Sequence, residues 1–374
     1  MAELTEVGES AAASVRGEVV KLDRGFPLVK LADGSLVRCK HATALVKGEK
    51  QRAVIGDVVE VLHPETHDKA IIESICPRSR VFVRKDPTER ALAQVLAANF
   101  DQVIVAQPVS EVNMRRLERE LVLAHETGAE VTVVLTKADL AQTPEFVEEA
   151  CQQVKDLAGT DIRTLVISSR EPESVERVRE LLAPGTMTVL IGRSGVGKSS
   201  LVNLLMGEYV QETAAVREGD GKGRHTTVSR EIIELPNGAR IVDMPGVRGL
   251  GLWDADAGIE AAFADIEELA EECRFRDCKH VNEPGCAVIE ALEAGEISRM
   301  RYESYQTLKQ ETEAIKQRRE QARWMQGEKS SDSKRAGKGP HGGKGASPER
   351  GKSSEKMRGI AKARRSYNKN SRGR

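Results

Sequence analysis

A chain of 374 residues is longer than one ordinary domain, so the sequence predicts two or three folded units with enough apolar material for a buried core. Charged residues make up 31% and hydrophobic residues 39%, a soluble balance, and no apolar run approaches the roughly 20 residues that span a bilayer. The first ten residues, MAELTEVGES, lack the basic and apolar segments of a signal peptide, so we expect a cytoplasmic protein that does not act on membranes.

Residues 15–80 follow a flexible start, residues 1–14, and consist of short alternating segments. The segments VRGEVVKL, PLVKL, SLVRCK, DVVEVL and AIIESI are strand patterns separated by the turns DRG, ADG and IGD. With no long helical pattern between them, they predict a small β-barrel, most economically an OB-like barrel. Phe26 is its one obvious aromatic residue, too few for a base-stacking platform, so the barrel suits a docking scaffold as well as RNA binding.

Residues 81–255 are predicted to form an α/β nucleotide-binding domain. From about residue 96, the buried-strand patterns FDQVIVAQ, EVTVVLT, IRTLVIS, MTVLIG and ARIVDM alternate with the helical patterns RRLERELVLAHETG and PEFVEEACQQVKDL. This alternation indicates a mostly parallel sheet. The hairpin EIIELPNGARIVDM, with its Asn237-Gly238 turn, adds an antiparallel edge.

The segment TVVLTKADL resembles the base-reading loop of guanine nucleotide switches. In such a loop, Asp139 would accept hydrogen bonds from two guanine donors that adenine does not present, and the stem of Lys137 would pack over the ring, with Thr136 before it. Ser168 and Ser169, at the end of the next strand, match the remaining base loop. The alternative is a chance TKAD in a surface loop, which the strand context and the paired serines oppose.

The segment GRSGVGKS, residues 192–199, fits the Walker pattern in full between an apolar strand and a helix. Gly192 and Gly197 let backbone N–H groups curl around phosphates, Lys198 reaches the β and γ oxygens, and Ser199 offers a hydroxyl to Mg²⁺. A purely structural glycine-rich turn would not require lysine and serine here. Because both base loops precede this loop, yet keep their own order, the sequence predicts a circularly permuted domain.

The segment DMPG ends the strand after the hairpin, about 50 residues beyond the phosphate loop. Asp243 can hold Mg²⁺ through water while the Gly246 N–H faces the γ-phosphate, an arrangement that lets a loop sense hydrolysis. Many GTPases orient water with a glutamine directly after this glycine, but Val247 can neither donate nor accept a hydrogen bond. Another group must therefore position the water.

Residues 256–325 are predicted to form a helical zinc-binding module. Cys273, Cys278, His280 and Cys286 fall within 14 residues on a loop that contains glycine and proline, which suits one structural Zn²⁺ per chain. A closed set of four ligands leaves no open position for catalysis. The alternative is a group of reduced core cysteines, and the cytosolic setting disfavours a disulfide.

Residues 326–374 form a basic tail with 15 Lys or Arg and 4 Asp or Glu, a local balance of +11, which leaves −12 on the rest of the chain. The tail is rich in glycine, serine and lysine and nearly free of large apolar residues, so it is predicted to be disordered alone. Such segments neutralise phosphates without a fold of their own, which favours RNA or ribosome contact over a purely solubilising role.

The combined order of barrel, TKAD, ISS, GRSGVGKSS, GRHTT, DMPG, GLGLW and the zinc cluster resembles the ribosome small-subunit-dependent GTPase A family of circularly permuted bacterial GTPases. The resemblance covers roughly residues 15–325. It implies a late maturation factor that binds the small ribosomal subunit and its rRNA, hydrolyses GTP to GDP slowly alone and faster on the subunit, and is released on hydrolysis. We expect it to act as a monomer.

The family pattern also assigns residues in this chain. It implies that Thr226 or Thr227 serves the switch and Mg²⁺, and that Asp243 and Gly246 sense the γ-phosphate. The phosphate loop comprises Gly192, Arg193, Ser194, Gly195, Val196, Gly197, Lys198, Ser199 and Ser200. Two departures are Met244, where the family usually has threonine, and the long basic tail.

The water-positioning group is predicted to be His225 in the segment GKGRHTT, because an imidazole can orient or deprotonate water once its loop is ordered. Arg224 and a group supplied by RNA are competitors, and a lone histidine is more often structural. Two other classes also fit part of the sequence. An ATP-dependent kinase shares GRSGVGKS but leaves TKAD and ISS unexplained, and a non-catalytic RNA-binding protein would use the barrel, the zinc module and the tail.

Overall fold

The computed structural model describes residues 14–23, 26–48, 51–62, 69–85, 93–159, 162–207, 230–244, 251–253 and 255–336, with side chains up to residue 321. Residues 1–322 form one compact unit, and residues 323–374 form a second, of which only the end of a helix is described. Within these ranges no helix is long and apolar enough to cross a membrane.

The first five strands close into a barrel. Their order is β1-β2-β3-β5-β4, and β4 pairs back with β1; β3 and β5 are parallel and the other neighbours are antiparallel. Successive side chains point to opposite faces of a strand, and those of Val19, Val29, Val59 and Ile72 point inward and form a separate barrel core. The predicted OB-like barrel is therefore confirmed. The strands are β1 Val15–Asp23, β2 Phe26–Leu31, β3 Leu36–His41, β4 Val58–Leu62 and β5 Ala70–Ile75.

A hairpin that the sequence patterns did not indicate, β6 Val81–Lys85 and β7 Ala93–Ala98, follows the barrel. Its buried residues join the large core of the α/β domain rather than the barrel core. The barrel approaches β7 closely at Gly56, whose φ is +81° and where a Cβ atom would lie 2.2 Å from the carbonyl oxygen of Ala98. Only glycine satisfies both conditions.

The central sheet has the order β10-β9-β8-β11-β13-β12, with five parallel strands and an antiparallel β12. The predicted strands and the mostly parallel arrangement are confirmed. The strand before the phosphate loop, β11, lies between β8 and β13 among the parallel strands. The strands are β8 Gln102–Pro108, β9 Glu130–Thr136, β10 Arg163–Val166, β11 Met187–Ile191, β12 Arg230–Glu234 and β13 Arg240–Asp243.

The antiparallel hairpin is present, but β12 is not a free edge, which corrects the prediction. Strand β1 pairs with it through Lys21 and Glu231, and both sheets thereby become continuous. Next to this junction, Arg240 Nη1 donates to both carboxylate oxygens of Glu18, at 2.8 and 2.7 Å. Pairing with a strand more than 200 residues away leaves no local sequence signal.

Eight helices of the described chain cover the sheet and form the C-terminal module. Phe263, Ile266, Tyr305 and Leu308 of that module belong to the same core as the α/β domain. Around the sheet lie α1 Met114–His125, α2 Pro144–Ala158, α3 Pro172–Leu181 and α4 Lys198–Met206. The module contains α5 Asp256–Ala262, α6 Ala264–Glu271, α7 Ala287–Ala294 and α8 Arg299–Ala336.

Helix α8 corrects the predicted start of the tail. It continues to Ala336, so residues 326–336 of the predicted disordered segment are helical. Alanine, arginine, glutamine, lysine and methionine around residue 326 favour helix, and the first proline comes only at Pro340. Residues 337–374, and residues 1–13 of the predicted flexible start, lie outside the described residues.

Candidate nucleotide and metal sites

The phosphate loop joins the carboxyl end of β11 to the first turn of α4. Gly192, Gly195 and Gly197 all have positive φ, and a Cβ atom at Gly192 would lie 2.5 Å from the carbonyl oxygen of Ala106. Helix α4 begins at Lys198 directly after the loop. The free N–H groups of its first turn and the positive end of its dipole therefore face the loop, which makes it an anion site.

Lys198 is only 6% exposed, and its ammonium is held over the loop. Its Nζ donates to the carbonyl oxygens of Gly192 at 2.8 Å and Arg193 at 3.2 Å. Burial lowers the pKa of Lys198, while the nearby carboxylates of Asp243 and Glu120 oppose the shift. Ser199 is half-buried beside it, and Arg193, Ser194, Gly195 and Ser200 are exposed.

Asp243 ends β13 with its carboxylate buried near the phosphate lysine. It lies opposite Leu190 of β11 in the parallel register and is 9% exposed. A carboxylate and the Ser199 hydroxyl at one sheet edge are the hard oxygen ligands that Mg²⁺ prefers, so the residues present fit that ion. The next residue, Met244, is fully buried in the main core, and its N–H donates to Leu190 O at 3.1 Å. Its side chain therefore packs rather than facing the site.

The first base loop is hydrogen-bonded to the phosphate loop. The Thr136 hydroxyl, at the end of β9, shares its one proton between Val196 O and Gln107 O, the latter at 3.2 Å. Lys137, with a φ of +60°, donates from Nζ to Gly195 O at 2.6 Å. The two motifs, about 60 residues apart in the chain, thus form one continuous site.

The second base loop supports the first. The Ser169 N–H donates to Asp139 Oδ1 at 3.1 Å, and the Ala138 N–H donates to Ile167 O at 3.1 Å. Ser168 is buried, and its hydroxyl accepts from the Arg170 N–H at 3.1 Å, which closes a turn after β10. The structure brings together the predicted residues of both base loops, with the Asp139 carboxylate held by the second.

Four predicted residues, His225, Thr226, Thr227 and Gly246, lie outside the described residues, as do Arg224 and Val247. Within the region predicted to sense hydrolysis, the described residues include strands β12 and β13, and β13 ends at Asp243.

The four predicted zinc ligands converge between α6 and α7. Their sulfur and nitrogen atoms all lie within 4.8 Å of one another. Cys273 Sγ is 3.8 Å from Cys286 Sγ, and His280 Nδ1 is 3.5 Å from each of these two sulfurs. Tetrahedral zinc with ordinary bond lengths separates two sulfurs by about 3.8 Å and a sulfur and a nitrogen by about 3.6 Å. The donor set and its spacing fit Zn²⁺ with Nδ1 as the histidine ligand.

The zinc loop is held in shape from two sides. Tyr302 of α8 donates from its hydroxyl to His280 O at 2.5 Å. The Glu283 carboxylate accepts the N–H groups of Lys279 and Val281 at 2.9 Å and of Asn282 at 3.1 Å, and these bonds lower the pKa of Glu283 to about 2. His280 itself has a φ of +56°. The Glu283 cap therefore stabilises a backbone that presents the histidine inward.

Comparisons with known proteins agree with this geometry. The family profile described as RsgA GTPase matches residues 75–253. A Streptomyces coelicolor protein named Small ribosomal subunit biogenesis GTPase RsgA is 42% identical over 302 residues, which cover 80% of this chain and 81% of that protein. The chain belongs to the RsgA GTPase family. It is a GTPase, and the family implies GTP, GDP and Mg²⁺.

Two solved structures share the fold of this RsgA family member. YjeQ from Thermotoga maritima has a TM-score of 0.59 at 27% identity, over 80% of this chain and 99% of that chain. YloQ, described as a circularly permuted GTPase, has a TM-score of 0.57 at 23% identity, over 83% of this chain and 98% of that chain. The predicted permutation is thereby confirmed at the level of the fold.

A buried carboxylate near the phosphate loop was missed by sequence reasoning. Glu120, on α1, is fully buried beside Gln107 at the end of β8. A faint signal exists, because Glu120 follows Leu117 by three residues and precedes Ala124 by four, which puts it on the apolar face of the helix. The periodicity was sufficient to predict the helix but not the partner of this charge.

Proposed function

We propose that this RsgA-family GTPase binds the small ribosomal subunit in the cytoplasm, promotes a late step of its maturation and leaves when GTP is hydrolysed. The name carried by the Streptomyces coelicolor relative supports the subunit as partner. The nucleotide part of the proposal is supported by the hydrogen bond of 2.6 Å from Lys137 Nζ to Gly195 O, which joins the loop proposed to read guanine to the loop proposed to bind phosphates. A site built this way couples a specific base to a hydrolysable phosphate.

In this proposal Asp139 accepts the guanine donors, with Thr136, Lys137, Ser168 and Ser169 completing the base site. Residues 192–200 cradle the phosphates through their N–H groups. Lys198 binds the β and γ oxygens and offsets the charge that develops during transfer. Ser199 and Asp243 hold Mg²⁺, which supplies further charge neutralisation when bound. The family pattern adds Thr226 or Thr227 and Gly246 as γ-phosphate sensors.

The hydrolytic water is proposed to be positioned by His225, since the residue after Gly246 is Val247. We propose that the imidazole reaches the water only when the protein is bound to the ribosomal subunit. This gives slow hydrolysis in solution and fast hydrolysis on the correct partner.

The remaining parts are proposed to hold the protein on its partner. One Zn²⁺ bound by Cys273, Cys278, His280 and Cys286 stabilises the C-terminal module, in line with the fit of the four donors. The basic segment, residues 326–374, adds electrostatic affinity for rRNA through its +11 charge. We also propose a monomer, divided as residues 15–80, 81–255 and 256–325.

The deciding experiment measures GTP turnover by the full chain alone, with purified small subunits and with purified large subunits. Strong stimulation by small subunits only is expected. Equal turnover in all three samples would contradict the proposed dependence on the small subunit but not the GTPase activity itself. Lys198→Ala serves as the control for contaminating activity, since it removes the proposed phosphate ligand.

A further inference from the structure

A buried charged group that the proposed catalytic steps do not use lies within electrostatic reach of Lys198. Glu120 of α1 has no exposed surface, and its two carboxylate oxygens have different partners. Oε2 accepts from Gln107 Nε2 at 2.6 Å, and Oε1 accepts from Arg116 Nε at 2.8 Å. The position of a fully buried carboxylate is thus fixed by an amide on one side and a guanidinium on the other.

This group is connected to the nucleotide site through hydrogen bonds and charge. The Gln107 carbonyl, on the residue that bonds Glu120, accepts from the Thr136 hydroxyl, which also donates to Val196 O of the phosphate loop. The negative charge of Glu120 favours the charged form of Lys198 and opposes the lowering of its pKa by burial. Burial raises the pKa of Glu120, while Arg116, the Gln107 hydrogen bond and Lys198 favour its charged form. Helix α1 therefore places a buried carboxylate within electrostatic reach of the lysine that is to bind phosphate.

We propose that Glu120 is a positioning residue that acts as a buried counter-ion to Lys198 and weakens the hold of the site on nucleotide phosphates. The inference rests on the proposed phosphate-binding role of Lys198. The Glu120 carboxylate attracts the Lys198 ammonium electrostatically without touching it, and it repels phosphate oxygens. Both effects lower affinity for the phosphate part of the nucleotide and neither acts on the base.

The charged groups around Lys198 on the neighbouring elements are Asp243 of β13 and Glu120 and Arg116 of α1. Asp243 has a proposed role with Mg²⁺, whereas Glu120 contacts Gln107 and Arg116 and carries no such assignment. Arg116 pairs with Glu120 and so limits the negative charge that reaches Lys198. Removal of Glu120 and removal of Arg116 should therefore have opposite effects on phosphate affinity.

Helix α1 provides a matched control two residues earlier. Glu118 is also a buried carboxylate, but it accepts from the Ser304 hydroxyl of α8, and its charged neighbours are Arg115, Arg119 and Glu311. Lys198 is not among them. Glu118→Gln and Glu120→Gln thus make the same chemical change at two buried positions of one helix, and only Glu120 acts electrostatically on Lys198.

The test measures dissociation constants of GTP, GDP and guanosine for the full chain and its variants. Glu120→Gln is expected to bind GTP and GDP about tenfold more tightly, because a unit charge is removed from a buried site, and to bind guanosine as the unchanged chain does. The difference should persist at high salt, since buried charges are little screened. Glu118→Gln should match the unchanged chain for all three ligands. Unaltered or weaker GDP binding by a folded Glu120→Gln would overturn the inference.

Two further variants guard against an ambiguous outcome. Arg116→Gln should weaken GDP binding and leave guanosine binding unchanged. This variant tests the role of Glu120 even if Glu120→Gln fails to fold. Unchanged GDP binding by Arg116→Gln would also overturn the inference. In a Lys198→Ala background, Glu120→Gln should tighten GDP binding much less than in the unchanged chain. If Lys198→Ala itself retains GDP affinity, the proposed phosphate site is wrong; if it loses affinity and Glu120→Gln does nothing, only the counter-ion inference fails.

Discussion

The Thr136 hydroxyl donates a hydrogen bond to the carbonyl oxygen of Val196, although 60 residues separate them in the chain. The same hydroxyl also donates to Gln107 O at 3.2 Å. One side chain therefore ties the ends of β8 and β9 to the phosphate loop. The base loops precede the phosphate loop in this permuted chain and are distant from it in sequence. Such contacts therefore hold the two loops in position relative to each other.

Replacing Thr136 by valine keeps the shape of the side chain and removes its hydroxyl. We expect nucleotide affinity to fall about tenfold, because a buried carbonyl of the phosphate loop loses its donor, at a cost of about 1 to 2 kcal/mol. Fluorescent-GDP titration measures this. Thr132, on the same face of β9, is the matched control: its buried hydroxyl has no hydrogen-bond partner within the described chain, so Thr132→Val should leave affinity unchanged. Equal losses in both variants would contradict the assigned role of Thr136.

Asp139→Asn tests the proposed guanine specificity. The carboxylate is oriented by the Ser169 N–H at 3.1 Å and would pair with two guanine donors, whereas an amide can accept with only one of its two atoms. We expect GTP binding to weaken by a few kcal/mol and discrimination against ATP to narrow. Competition titrations with GTP and ATP give both quantities. An unchanged ratio of the two affinities would refute the assignment of this loop to base recognition.

A feature of this structure can be predicted from the sequence when consecutive residues specify it, and cannot when it depends on contacts between distant segments. The loops after β9, β10 and β11 carry their chemistry in consecutive residues, so their types and order were readable, as was the cysteine and histidine cluster. The pairing of Lys21 with Glu231, the contact of Gln107 with Glu120 and the bond from Ser304 to Glu118 join distant segments. No local pattern specifies such partners, because each is settled by packing of the whole sheet.

Glu118→Gln is expected to change how stability depends on pH. Burial raises the pKa of Glu118 above its ordinary value, against the Ser304 hydrogen bond and the charges of Arg119 and Arg115. A raised folded-state pKa means that the native protein holds the proton more firmly than the unfolded chain, so this contribution to stability is complete below the unfolded pKa and is lost as pH rises through the folded pKa. Glu118→Gln has no titrating group at this position, so its stability does not include this pH-dependent contribution.

Urea unfolding at several pH values between about 4.5 and 7.5 measures the effect. The unchanged chain should lose more stability on going to the higher pH than Glu118→Gln does, and the variant should be at least as stable at neutral pH because Ser304 can still donate to its amide oxygen. Parallel stability curves for the two proteins would show that burial does not raise the pKa of Glu118 in the folded protein.

His225→Ala separates binding from hydrolysis. If His225 positions the water only on the subunit, the variant should keep GTP and subunit binding and lose about 10² to 10⁴ of the stimulated rate. It should also remain on the subunit, because release would await hydrolysis, and co-sedimentation in the presence of GTP detects this. Arg224→Ala tests the competing residue, and we expect it to keep the stimulated rate if His225 positions the water. Full stimulated turnover by His225→Ala would assign the water to Arg224, the backbone or RNA.

The zinc loop provides a test of both metal and cap. Metal analysis of protein purified without chelator should give one Zn²⁺ per chain, and Cys278→Ser with Cys286→Ser should abolish it while GDP binding persists. Glu283→Ala removes the acceptor of three N–H groups in the loop, so zinc should pass to a competing chelator at about 10 to 100 times lower chelator concentration. Glu293→Ala, an exposed glutamate on α7, should have no effect.

The pH dependence distinguishes the cap from the ligands. With its pKa lowered to about 2, Glu283 contributes to the folded loop above its ordinary unfolded pKa and loses that contribution only as pH falls through the lowered value. Zinc binding requires deprotonated ligands and therefore weakens as pH falls, so the comparison is made near neutral pH. The zinc affinities of Glu283→Ala and the unchanged chain should therefore differ by the same factor from about pH 6 to pH 8. A factor that shrinks steadily over this range would mean that a group other than the Glu283 carboxylate holds the loop.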